Sequence, residues 1–283
     1  AYRNYPGDER VVLYRNIVEK LVNELARKRR QPPWVYLSPS SDPFGPYALL
    51  QETTYRLMEL LLEHRIGLSF LTKGVIPPRF FALLQRFRGQ VHVQVGLTSA
   101  DETTTSMIEP AAASPAQRLA NIQRAVDAGL HTTIRLDPLI PTLTDTTASL
   151  QRLLTELSRR AVRSVSASYL FLRPAIRRNL GRELPVGAIR SRILRAYHDG
   201  VAIVHRGATD GQPVLALAPW RRRQGLARLR SIAATLGIDV RICGCKNADL
   251  GITDRCDIGG PPEPLHCQGQ LTLFARQHLA AGP

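Results

Sequence analysis

Between Val91 and Thr98, apolar Val91, Val93, Val95 and Leu97 alternate with His92, Gln94, Gly96 and Thr98. This period of two describes a strand with one apolar face and one face that is polar or bare. The division recurs at 132 to 137, where Ile134 and Leu136 alternate with Thr133, Arg135 and Asp137. Between these strands lies a loop and then a helix. Ser114 is placed to cap that helix, with Pro115 at its first position and Gln117 three residues on, and Gly129 is placed to end it. Leu119, Ile122 and Val126 share one face of it. Two parallel strands with polar faces predict a lined cavity.

The same punctuation runs through the rest of the chain. Strands are predicted at 34 to 38, 68 to 72 and 162 to 172, and helices at 12 to 29, 47 to 65, 79 to 88 and 146 to 160. This βα alternation predicts a parallel sheet. After Leu172 the pattern changes to a helix near 187 to 200, a loop around 207 to 211, an Arg-rich helix at about 220 to 236, a strand and a cysteine-bearing tail. The division expected is a βα core over residues 1–175 and an extension over 176–283.

Ligands of parallel α/β folds collect at the carboxyl ends of the strands. The residues predicted there are Ser40, Ser41, Asp42, Lys73, Thr98, Ser99, Asp137 and Arg173. Singly, each reads equally as a cap or loop residue; across five strands the array reads as a site. Lys73 closes the run LSFLTK at a strand end, where a solvated lysine has no special reason to sit.

Charge adds a second theme. The 283 residues carry 38 Lys and Arg against 23 Asp and Glu, a net charge of +15, and only Lys20, Lys28, Lys73 and Lys246 are lysines. Such an excess suits a polyanionic partner such as nucleic acid, or reflects a compositional preference for arginine. Aromatic residues make up 6% of the chain, which offers few stacking platforms for single strands. No apolar run approaches the roughly 20 residues that span a bilayer and no signal peptide is evident, so a cytoplasmic protein is expected.

All four cysteines fall late: Cys243 and Cys245 in CGC, then Cys256 and Cys267, with His266 beside the last. Four thiolates suit zinc or an iron–sulfur cluster. The alternative is four reduced thiols without metal. Lys246, Asn247 and Asp249 beside CGC read either as substrate contacts or as a polar loop. Arg221, Arg222, Arg223, Arg228 and Arg230 make the preceding helix basic, for nucleic acid or as a solvated face.

The ordered blocks VYLSPSSDPFGPY, LSFLTKG, VGLTSADETTTSMIEP, RLANIQRAVDAGL and RLDPLIPTLTD resemble the radical S-adenosylmethionine (SAM) enzymes related to spore photoproduct lyase, over roughly residues 10 to 175. The resemblance implies an α/β fold, a partial (β/α)6 barrel that holds SAM and a [4Fe-4S] cluster at its strand ends. The activity implied is reductive cleavage of SAM and abstraction of hydrogen from a substrate. Ser41 and Lys73 match family residues that contact SAM, and Thr98 and Ser99 lie in a block that contributes to its pocket. To these we add Asp42 and Arg135 from their place on the inward faces. A guanidinium at Arg135 suits a carboxylate bidentately, and an internal ion pair with Asp137 or Glu109 is the competing expectation. Glu109 and Pro110 match the family pattern in a structural role.

Two departures follow. The family's C-x3-C-x2-C motif is absent from the numbered residues, and alignment of ERVVLYRN places it, with a first strand, upstream of Ala1. Ser40 stands where spore photoproduct enzymes carry a hydrogen-donating cysteine, and its O–H bond is too strong for that role, which argues against the same reaction. The expectations are therefore a radical SAM enzyme of unassigned substrate and catalytic residues. Its electron donor would be of the flavodoxin or ferredoxin kind, with an auxiliary iron–sulfur cluster or zinc at Cys243, Cys245, Cys256 and Cys267. The alternative is a basic nucleic-acid-binding protein on a degenerate barrel with a zinc-stabilised tail.

Overall fold

The computed structural model describes residues 13–37, 41–174, 176, 177, 180, 187–204, 213–252 and 254. Ser40, Cys256, His266 and Cys267, and the loop expected at 207 to 211, lie outside these residues.

Helix α1 (Ile17–Arg27) leads into strand β1 (Trp34–Leu37), and the chain then alternates α2 (Ala48–Glu63), β2 (Gly67–Thr72), α3 (Pro78–Arg86) and β3 (Val91–Gly96). Helices α4 (Glu102–Ile108) and α5 (Pro115–Asp127) precede β4 (His131–Leu139), followed by α6 (Thr147–Ser158) and β5 (Ser164–Tyr169). Beyond these come α7 (Gly187–Ala196), the antiparallel pair β6 (Val201–Val204) and β7 (Pro213–Ala216), α8 (Pro219–Thr235) and β8 (Asp239–Ile242). Strands β1 to β5 and β8 form one parallel sheet in the order β1-β2-β3-β4-β5-β8. The expected α/β class with a parallel sheet is thus the observed one. Its sixth described strand, β8, comes from within the region 176–283.

The alternation in sequence becomes a division between two buried faces. Val91, Val93, Val95, Ile134 and Leu136 join the apolar core beneath the helices, and α5 packs across β3 and β4. The polar residues His92, Gln94, Thr133, Arg135, Ser166 and Ser168 are buried as well, so the opposite face is enclosed. Tyr36 of β1 lies three strand spacings away from β4, about 14 Å in a flat sheet at about 4.8 Å per strand. Burial raises the pKa of its hydroxyl, and Arg135 and Asp137 of β4 nevertheless act on it through space, the first lowering and the second raising it, as expected where the sheet curls and brings its inner faces together.

Local chemistry accounts for the helix boundaries. The Ser114 hydroxyl accepts from Gln117 N at 3.2 Å while Gln117 Oε1 accepts from Ser114 N at 2.9 Å, a reciprocal cap on α5. Gly129 turns at φ +65° just past its end, a conformation glycine adopts without penalty. Helix α4 was expected as loop. Its run of β-branched threonines is a poor helix former, yet Asp101 Oδ2 accepts from Thr104 N at 2.8 Å and caps it. The β6–β7 pair was not expected either; strands of four residues carry too few alternations to register as a period.

Helix α8 packs on α6 and over β8. A Cβ at Gly225 would stand 1.7 Å from the Tyr169 hydroxyl, so the glycine lets α8 approach β5. The hydroxyl donates to Asp145 Oδ2 at 2.9 Å.

Candidate functional site at the carboxyl ends of the strands

The loops at the sheet's carboxyl end are cross-tied by their own polar residues. Asp42 accepts from Phe44 N at 2.9 Å, Thr72 Oγ1 at 2.8 Å, Lys73 N at 2.7 Å and Gly74 N at 3.0 Å. Its carboxylate therefore joins the loop after β1 to the end of β2, and Ser41 beside it is exposed. Thr98 and Ser99 are buried after β3, and Ser99 Oγ accepts from Asp101 N at 3.0 Å.

The stem of Lys73 crosses Gly96 of β3, where a Cβ would lie 2.9 Å from Lys73 Cγ. That bare position directs Lys73 Nζ to Glu109 Oε1, 2.5 Å away. Glu109 Oε2 accepts from Arg118 Nη1 at 2.6 Å. Arg118, fully buried on α5, also donates to Gly96 O at 2.9 Å and Ala113 O at 2.7 Å. Burial works against the Glu109 charge, but Lys73 and Arg118 outweigh it and hold its carboxyl below the ordinary value. The structural place read for Glu109 is thus occupied by a carboxylate bridging two cations.

Arg118 and Asn121 escaped the sequence reading. Asn121 accepts from Ile76 N at 3.2 Å and donates to Gly74 O at 2.8 Å, fixing the loop after Lys73. The signal was present: both are polar residues three apart on the face of α5 that packs inward.

A second cluster lies inside the curl. Arg135 Nη2 donates to Asp137 Oδ2 at 2.9 Å and Nη1 to Gln94 Oε1 at 3.3 Å, which makes the weighed ion pair with Asp137 the observed one. Its Nε is buried without a hydrogen-bond partner. Lys246 reaches in from the far side and places Nζ 2.7 Å from both oxygens of Asp137 and 3.3 Å from Ser168 Oγ. Burial would raise the Asp137 pKa, but Lys246, Arg135 and the Ser168 hydroxyl hold it below the ordinary carboxylate range. Lys246, read earlier as either a contact or a loop residue, is thereby part of the barrel interior.

Arg222 explains how Lys246 is held. Within the basic helix it is fully buried, donates to Leu217 O at 2.9 Å and Asn247 Oδ1 at 3.2 Å, and pairs with Asp249. A guanidinium expected on a basic surface instead fastens the loop that follows CGC. Just before that loop, at the end of β8, the Cys243 and Cys245 sulfurs lie 2.7 Å apart with no disulfide between them. Among the described residues no group of three or more His, Cys, Asp or Glu side chains could hold a metal ion.

A cavity of about 260 Å³ opens beside Lys73, Thr98 and Glu109. Ile108, Pro110, Ile140 and Leu170 form apolar wall. A few convergent polar groups set in an apolar lining are the usual make-up of a small-molecule site. Of the six predicted cofactor residues, Lys73 and Thr98 line this cavity. Asp42 and Ser99 tie adjacent loops, Arg135 lies in the interior cluster, and Ser41 faces solvent.

No protein-family model matches the chain. The uncharacterized protein Rv2578c of Mycobacterium tuberculosis is 30% identical over 176 residues, 60% of this chain and 51% of the relative, so the chain spans about half the length of that relative. Among solved structures, spore photoproduct lyase complexed with dinucleoside spore photoproduct superimposes with a TM-score of 0.57 at 14% identity, over 80% of this chain and 65% of that one. A double mutant of the same enzyme, with bound AdoMet and dinucleoside spore photoproduct, gives 0.58 at 13% identity over the same shares. The curled parallel sheet that positions this cavity therefore has the fold of spore photoproduct lyase, the relation that the sequence blocks implied.

Proposed function

We propose that this protein is a radical SAM enzyme, which reductively cleaves S-adenosylmethionine at a [4Fe-4S] cluster and abstracts hydrogen from a substrate not yet identified. One observation carries the reading: a cavity at the carboxyl ends of the strands sets a lysine–carboxylate pair against apolar wall, within the fold of spore photoproduct lyase.

The residues present suit SAM. The Lys73 ammonium matches the methionyl carboxylate, Glu109 the methionyl ammonium, and Thr98 offers a hydroxyl. Ile108, Pro110, Ile140 and Leu170 offer apolar surface to the adenosyl group. Asp42 and Ser99 hold the loops that present Lys73 and Thr98. Arg135, in the interior cluster beside this cavity's strands, is proposed as a second cation toward the methionyl carboxylate, its Nε being buried without a hydrogen-bond partner, and Ser41 completes the proposed set by its place in the loop. When bound, SAM supplies a 5′-deoxyadenosyl radical on one-electron reduction.

Among the described residues no group of three or more His, Cys, Asp or Glu could hold this cluster; a C-x3-C-x2-C motif is its proposed holder. Cys243 and Cys245, side by side, are proposed to join Cys256 and Cys267 around an auxiliary iron–sulfur cluster or zinc. A flavodoxin or ferredoxin is the proposed reductant and the cytoplasm the proposed location; among the described residues no helix is long and apolar enough to cross a membrane. The rival reading, a nucleic-acid-binding protein on a degenerate barrel, has less support, because Arg222 of its basic helix is committed to Asp249.

The test is anaerobic reconstitution of the full-length protein with iron and sulfide, followed by incubation with SAM and dithionite. Formation of 5′-deoxyadenosine is expected. Its absence from protein whose cluster is spectroscopically intact would overturn the reading.

A further inference from the structure

A second cavity, of about 510 Å³, lies apart from the SAM candidate and is lined by Thr142, Arg192, Arg195, Ala196, His198 and Arg221. Its charge comes from two helices. Arg192 and Arg195 stand three apart on α7, which places them on one face, and both are exposed. Neither meets a carboxylate among the described residues. Arg221 comes from the first turn of α8. Its Nε donates to Asp199 at 3.1 and 3.2 Å, which leaves its two terminal amines without a partner among the described residues.

Asp199, which also accepts from Trp220 Nε1 at 3.1 Å, and Asp145, which accepts from the Thr142 backbone N at 2.7 Å, are the carboxylates bonded to lining residues of this groove among the described residues. Three guanidiniums against these two carboxylates leave one positive charge in excess, and neither Arg192 nor Arg195 is paired with either of them. Trp220 is 54% exposed and carries the Arg221 guanidinium 4.4 Å above its ring. Three forked donors facing one concavity match the oxygens of a phosphoryl group, and an exposed indole beside them offers a face to a flat ring.

We infer that this groove binds the phosphoryl group of a ligand. Two sources carry that chemistry, a free phosphate or mononucleotide and the backbone of a single-stranded polynucleotide. The two cavities draw on the same elements: Ile193 of α7 lines the first while Arg192 and Arg195 line this one, and Thr142 lies two residues after Ile140. The inference does not depend on SAM chemistry, since it concerns binding alone.

The experiment uses the full-length protein and a short fluorescein-labelled single strand, read by fluorescence anisotropy, with inorganic phosphate and AMP as competitors. The variant is Arg192→Gln/Arg195→Gln. The control is Arg56→Gln/Arg88→Gln, which removes the same charge at exposed positions elsewhere. Circular dichroism checks that both fold. The variant is expected to bind about tenfold more weakly and to flatten the salt dependence by about 1.4 in log–log slope, two contacts at about 0.7 each, while the control stays within about twofold of wild type. Displacement by phosphate or AMP identifies a small phosphorylated ligand; retention of the strand against both identifies a polymer, and either supports the site. Equal losses in variant and control, or no binding of strand, phosphate or AMP, would overturn it.

Discussion

Lys246 stands 109 residues from Asp137 in sequence, yet its Nζ lies 2.7 Å from both carboxylate oxygens. The contact joins the loop after β8 to the inner face of β4. It shares the carboxylate with Arg135, so two cations from different parts of the chain meet one buried anion. Asp137→Asn is expected to leave both cations uncompensated and to cost about 3–5 kcal/mol. Lys246→Met, which leaves the Arg135 pair in place, should cost about 2 kcal/mol. Urea unfolding of the two variants checks the order, and equal costs would contradict the shared arrangement.

His92 is buried and stacked on His131 with ring centroids 4.2 Å apart. Burial, with His131, Arg135 and Arg241 adding to it, pushes its pKa from 6.5 down to about 3. The native state therefore stays unprotonated where the unfolded chain takes up a proton, and stability falls as pH drops below 6.5. Between about pH 6 and pH 4.5 wild type should lose about 1.4 kcal/mol per pH unit more than His92→Gln. Denaturant unfolding across that range gives both slopes, and parallel profiles would refute the assignment.

Glu109 and Lys73 separate stability from binding. Glu109→Gln leaves the fully buried Arg118 guanidinium without its counter-charge and should cost about 3 kcal/mol or more in stability. Lys73 is partly exposed, so Lys73→Met should cost under about 1 kcal/mol while weakening SAM about tenfold or more. Thermal unfolding and isothermal titration with SAM test the pair; unchanged SAM affinity in Lys73→Met would remove Lys73 from the proposed pocket.

The approach of α8 to β5 rests on Gly225. Gly225→Ala drives a methyl group into the Tyr169 hydroxyl and should cost about 1–3 kcal/mol, as for overpacked cores. Tyr169→Phe removes the oxygen, so the double variant should be less destabilised than the sum of the singles. Strict additivity in unfolding free energies would show that the clash is relieved elsewhere.

The alternation at Val91 to Thr98 and at Thr133 to Asp137 was enough to divide each strand into an apolar and a polar face, because side chains in a strand switch sides at every residue. The cap at Ser114 and the stop at Gly129 were legible for the same local reason. Local rules failed at α4, where threonine propensity opposed a cap that prevailed, and at the short β6–β7 pair. At the candidate site, Lys73 and Thr98 were legible as strand-end residues that line one cavity. Arg118 and Asn121 were not, since a polar residue on a helix reveals its inward direction only when the facing loop is known.

By itself, the sequence determined the βα order, the parallel class, the polar inner faces and the late cysteine cluster, all properties of period, propensity and composition. Only the tertiary structure decided which charges meet. It put Lys246 on Asp137, made Glu109 a bridge between Lys73 and Arg118, buried Arg222 against Asp249, and gathered Arg192, Arg195 and Arg221 around one groove. The reason is that ion pairs across a fold depend on how far a sheet curls and how closely helices approach, which no local pattern along the chain encodes.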